Sequence, residues 1–157
     1  MDNQLHLLQS YFNKSNELLT QKKYKESKSL LLKIVENIEP GEIKNNTFLL
    51  FNLGLCDLYL DNINQCLNSF MTIYEYYQTN KSLSIMYVPH LETIFNDPKN
   101  YDLDGNFKFY SKKFDNVDLI YTLINSFFVS DYVKNKDFVN KINEKIKNPI
   151  LKLYFKD

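Results

Sequence analysis

Arginine is missing from this sequence: all 19 basic residues of its 157 are lysine. The planar guanidinium fork that grips phosphates, carboxylates and guanine edges is therefore nowhere in the chain. Formal net charge is zero and the pI is near 6.7, so no overall field draws the chain to nucleic acid or to an anionic membrane. Glycine is scarce too: Gly41, Gly54 and Gly105 are the only three, too dispersed for a phosphate-cradling loop. The two cysteines, Cys56 and Cys66, are too few for a disulfide framework and lack metal-knuckle spacing, which points to a reducing, cytoplasmic setting. The N-terminal residues "MDNQLHLLQSYF" carry no basic stretch before an apolar core. The longest apolar runs, such as "TFLLFNLGLC", fall short of the roughly 18–20 residues that span a bilayer, so neither secretion nor insertion is expected.

Catalytic signatures are equally sparse. His6 and His90 lie far apart, and neither stands in a metal-ligand spacing such as H-E-x-x-H. In "NYDLDGNFKFYS" the residues Asn100, Asp102 and Asp104 alternate ahead of Gly105, in the manner of a calcium loop. Ser111 then occupies the place of the bidentate glutamate, so the stretch reads as an Asp-Gly turn. No nucleophile, base and oxyanion-donor set converges in the sequence, and no enzyme, cofactor or metal is expected.

What the chain does have is helical periodicity. Leu7, Leu8, Tyr11, Phe12, Ser15, Leu18 and Leu19 recur at helical spacing, "TQKK" interrupts, and Tyr24, Ser27, Leu31, Ile34, Val35 and Ile38 resume the pattern. Pro40-Gly41 stops it and "GEIKNN" reads as a loop, after which Thr47 is placed to cap a new helix. The pattern returns in "FLLFNLGLCDLYL" and "INQCLNSFMTIYEYY", broken at "DN". Tyr24, Ser27, Leu31 and Ile34 correspond to Ile63, Cys66, Phe70 and Ile73 at a constant offset, 66 − 27 = 39 residues. The same offset carries Ser15 onto Gly54. Small residues thus recur where two helices would touch, in a chain with no alanine to supply them.

On these residues, 8–79 resembles the tetratricopeptide repeat, a helix–turn–helix unit of 34 residues. Leu53-Gly54 stands where that family has its Leu-Gly pair, Cys66 at its helix-B alanine and Phe70 at its large apolar position. The offset exceeds 34 by five residues, which the "PGEIKNN" loop accounts for, and Asp57 stands where the family has an aromatic residue or leucine. The resemblance implies an all-α fold of antiparallel helical hairpins stacked as a short array. We expect a single domain over 1–157: two hairpins in 8–79, an irregular connector over 80–114, and a C-terminal hairpin and cap over 115–157.

Within the connector, "SLSIMYVPHLETIFN" reads as a degraded third helix and "FKFYSKKF" as a short strand or extended loop. Asp115 or Asn116 caps the next helix, and "PILKLYF" packs back as a terminal cap. Lysines 134, 136, 141, 145 and 147 read as a solvated outer face, because Phe138, Val139, Ile142 and Ile146 already form the apolar stripe that packing needs.

The resemblance also implies a groove lined by the first helix of each unit. Projecting the family's groove positions selects Phe12, Asn16 and Leu19, then Phe48, Phe51, Asn52, Leu55 and Tyr59. Some members clamp the C-terminal carboxylate of chaperones. Asn16 and Asn52 match their asparagines, but Phe12 replaces their lysine, so that clamp is not expected here. The implied function is a non-catalytic interaction module, a scaffold or adaptor, that binds an apolar peptide or amphipathic helix of a protein partner. No nucleic-acid or membrane partner is expected. The alternative is a structural subunit of a larger complex or homo-oligomer, with the groove permanently covered.

Overall fold

The computed structural model describes residues 2–79, 93, 96–100, 103–104, 115–128 and 132–155. The third-helix reading, His90, the strand reading and three residues of the Asp-Gly turn (Asp102, Gly105, Ser111) lie outside these. Among the described residues the secondary structure is helical and contains no strand. Contacts divide the chain into two compact units, Met1–Ile73 and Tyr74–Asp157, each described here by itself.

In the first unit, α1 (Asp2–Thr20) and α2 (Tyr24–Glu36) form an antiparallel hairpin, and both touch α4 (Thr47–Tyr59). Between α2 and α4, Pro40–Ile43 is a single turn, α3, rather than the plain loop expected. Proline at its first position explains this, since its fixed φ suits a helix start where no N–H partner is needed. The cap of α4 is Asn46, one residue before the expected Thr47: its side chain accepts the Leu49 N–H (3.1 Å). Helix α5 (Ile63–Thr79) follows.

The core joins Leu31 and Ile34 of α2 to Leu49, Leu53 and Cys56 of α4, with Leu8, Tyr11, Phe12 and Leu19 of α1 packed against it. Each fully buried aliphatic side chain contributes roughly 1.5–3 kcal/mol relative to exposure. Two small residues sit between α1 and α2, both fully buried. The Ser27 hydroxyl donates to the Ser15 carbonyl (2.9 Å) and the Ser15 hydroxyl to the Phe12 carbonyl (2.7 Å), so the serines satisfy themselves on backbone while permitting close approach.

The offset of 39 residues extends to the backbone turns. In the first hairpin the Lys23 N–H donates to the Leu18 carbonyl (2.8 Å) and the Lys22 N–H to the Leu19 carbonyl (3.0 Å). In the second, Asn62 donates to Asp57 (2.7 Å) and Asp61 to Leu58 (3.3 Å). These paired bonds are the Schellman termination, which needs a left-handed residue just past the helix. Lys22 (φ 61°) and Asp61 (φ 65°) fill that position, 61 − 22 = 39 apart. A left-handed β-carbon costs about 1–2 kcal/mol, more for lysine than for aspartate. Lys22→Gly removes that cost and loses about 0.5–1 kcal/mol to glycine's greater chain entropy. We therefore expect a gain of about 0.5–1 kcal/mol in urea unfolding, larger than for Asp61→Gly. Destabilisation by Lys22→Gly would contradict the turn geometry.

In the second unit, α6 (Asn116–Phe128) packs against α7 (Tyr132–Lys145) and α8 (Pro149–Leu153). Asp115 caps α6 by accepting the Val117 N–H (2.8 Å). Leu119, Ile120, Leu123 and Ile124 of α6 are buried, as are Val139, Ile142, Ile146, Leu151 and Phe155. The segment from Pro149 begins as the short helix α8, with Leu151 and Phe155 buried. The buried Asp118 carboxylate accepts the Lys147 and Asn148 N–H groups (2.9 Å each), and Asn148 in turn caps α8.

Candidate functional site

The sequence-selected residues lie on α1 and α4, and the structure brings several of them together. Phe12 and Phe48 line one groove of about 310 Å³. Its walls are Leu5 and Leu8 of α1, Ile34 of α2, Ile38, and Leu49 at the start of α4, with Gln9 and Asn46 as its polar members. None of these side chains is charged. Leu5 is 70% and Phe48 77% exposed, so the groove carries large apolar side chains into solvent. Sequence reasoning did not select Leu5 or Leu8 for the groove, although Leu8 stands in the α1 stripe and Leu5 continues it at helical spacing.

The other selected residues meet neighbours within the chain. Asn52 Nδ2–H donates to Asn16 Oδ1 (2.7 Å), so the two asparagines pair across α1 and α4. The bond uses one N–H of Asn52 and one lone pair of Asn16, at an exposed position. Phe51 stands edge-on to Phe70 (5.5 Å between centroids), and Tyr59 stacks on Tyr24 (4.5 Å, 15° between planes). Leu19 packs against the core and Leu55 is half-buried. Phe48 is more accessible than Phe51, which stands against the buried ring of Phe70.

Close to the Tyr24–Tyr59 stack is a charged pair the sequence did not reveal. Lys28 Nζ of α2 donates to Asp57 Oδ1 of α4 (2.6 Å), and Asn62 Nδ2 donates to the same oxygen (3.0 Å). The side chains are only 22% and 6% exposed. Asp57 thus ties α2 to α4 electrostatically.

Burial pushes the thiols of Cys56 and Cys66 up, and the Asp57 carboxylate adds to both shifts. Against this, a hydrogen bond with Ser27 and the Lys28 charge draw Cys56 down in part. Both thiols are free, fully buried and protonated at neutral pH, so neither is a candidate nucleophile. A thiol raised by folding contributes stability that is complete below its ordinary value, about 8.5, and is lost as pH rises through the folded value. The urea midpoint should accordingly hold between about pH 7 and 8 and fall above about pH 9, with a shallower fall in Cys66→Ala. An equal fall in that variant would assign the pH dependence to other groups.

Among the described residues no group of three or more histidine, cysteine, aspartate or glutamate side chains gathers as a cation site, and no helix is long and apolar enough to cross a membrane. Comparison of the chain with protein-family models, with curated proteins and with solved structures finds no match.

Proposed function

We propose that this chain is a non-catalytic interaction module of tetratricopeptide-like build, whose α1–α4 face binds an apolar peptide or amphipathic helix of a protein partner. The observation that carries this reading is the uncharged groove in which Phe48 and Leu5 stand largely in water beside a 310 Å³ recess. Burial of apolar area at about 25 cal/mol per Å² drives the association, and helix-in-groove recognition supplies the register. The Asn16–Asn52 pair, on the same two helices, offers its remaining donor and acceptor to the partner's backbone. Support for the repeat reading comes from the recurrence of side-chain pattern and turn hydrogen bonds at one offset.

A benzoyl-phenylalanine placed at position 48 tests the site directly. Irradiation in the presence of a bound peptide should cross-link it, whereas the same photoprobe at the exposed Lys14 should not. Equal labelling from both positions would count against the groove.

The exposure of Phe48 also favours a second reading, a subunit whose groove is permanently covered inside an assembly. Sedimentation in dilute solution separates the two: a stable monomer supports the peptide-binding module, and an obligate oligomer that dissociates on Phe48→Asp supports the subunit.

A further inference from the structure

The end of the second unit presents a surface of a different character. Helix α8 is held from beneath by buried Leu151 and Phe155, by the Asn148 cap, and by the Asp118 carboxylate on the two preceding N–H groups. On its outer side Ile150 is 45% and Leu153 65% exposed, and Pro149 is exposed as well. Lys145, Lys147 and Lys152, on or next to the same segment in sequence, are exposed too. Residues 145–155 contain three lysines and no acidic residue, a charge of +3. The rest of the chain must then carry 0 − 3 = −3, so overall neutrality conceals a basic end. Asp118 lies beneath this segment but is buried and engaged with backbone. The Lys145 ammonium sits 5.6 Å from the Tyr121 ring centroid, and Lys152 stands between Ile150 and Leu153 in sequence, with Lys147 ahead of Ile150.

Sequence alone reads lysines 134, 136, 141, 145 and 147 as a solvated face because Phe138, Val139, Ile142 and Ile146 form the apolar stripe. The structure buries Val139, Ile142 and Ile146 but leaves Phe138, and with it Ile150 and Leu153, exposed. We propose that α8 docks on an anionic lipid surface, with Ile150 and Leu153 entering the headgroup boundary while Lys145, Lys147 and Lys152 meet lipid phosphates and carboxylates. The complementarity is twofold: an apolar insertion alone or a few charges alone binds weakly and reversibly, whereas the two together give a usable anchor. Because the capped and clamped helix is already ordered, docking requires little further ordering. The residues of this surface are none of those that line the α1–α4 groove.

The test is sedimentation of the full chain with vesicles of phosphatidylcholine containing about one-quarter phosphatidylserine, at about 0.1 M salt. Binding should be at least about tenfold tighter than to pure phosphatidylcholine vesicles and should weaken as salt rises. Lys147→Gln/Lys152→Gln and Ile150→Ser/Leu153→Ser should each weaken it about tenfold or more, with helical circular dichroism unchanged because all four side chains are exposed. Absence of binding, equal binding to both vesicle types, or wild-type binding by either double variant would overturn the proposal. So would tighter binding to an acidic peptide or an oligonucleotide than to the anionic vesicles.

Discussion

Lys28→Met is expected to lower the stability of the chain by about 3–5 kcal/mol, because it strands the Asp57 carboxylate between α2 and α4 with only Asn62 to hold it. A buried charge stripped of its counter-ion keeps its desolvation cost and loses its compensation. The pair as a whole is a different matter. Replacing a buried ion pair by apolar groups of similar volume is often neutral, and the repeat indicates which groups fit. At the offset of 39, Leu18 is the counterpart of Asp57 and Leu67 that of Lys28, and both leucines are buried. Lys28→Leu/Asp57→Leu should therefore recover most of what the single change loses. Additive losses in urea unfolding would show that the two side chains act independently.

Phe70→Ala should cost a similar amount, about 3–5 kcal/mol, through lost burial and the cavity left behind. Phe70 is fully buried, its ring edge-on to Phe51 and seated against Gly54. A β-carbon on Gly54 would stand 2.9 Å from Phe70 Cζ. That contact gives the glycine its reason. In an open helix Gly→Ala gains about 1 kcal/mol, but overpacking here costs about 1–3 kcal/mol, so Gly54→Ala alone should destabilise. With Phe70→Leu in place the ring tip is gone and Gly54→Ala should become stabilising. The sign change is what thermal melting would check. A gain from Gly54→Ala in the native background would mean that α5 does not press on α4 at this point.

The two hairpins of 8–79 were legible because helical periodicity is a local property: Tyr24, Ser27, Leu31 and Ile34 announce α2 by spacing alone, and their offset to Ile63, Cys66, Phe70 and Ile73 announces the second hairpin. Gly54 was legible as a contact point for the same reason. What depends on three-dimensional neighbours was not. Asp57 reads in sequence as a departure from an aromatic-or-leucine position, and Lys28, 29 residues away, is what pairs with it. Asn16 and Asn52 are each selected as groove positions, yet over 36 residues of separation they find one another. The groove was legible at Phe12 and Phe48 only. Ile34, Ile38 and Leu49 lie in a core-like pattern, and periodicity does not distinguish a side chain beneath a groove from one beneath another helix.

Selection from a random dodecapeptide library on the immobilised chain tests the central claim most directly. The account predicts enriched peptides with apolar residues at helical spacing and no charge on that face, matching a groove whose nine lining residues are all uncharged. Affinity should fall at least about tenfold in Phe48→Asp, since a buried aromatic anchor is worth about 2 kcal/mol or more. Phe138→Asp, a change to another exposed aromatic outside the groove, should leave it unaltered. Peptides of no common pattern, or peptides that bind Phe48→Asp as tightly as the native chain, would contradict it.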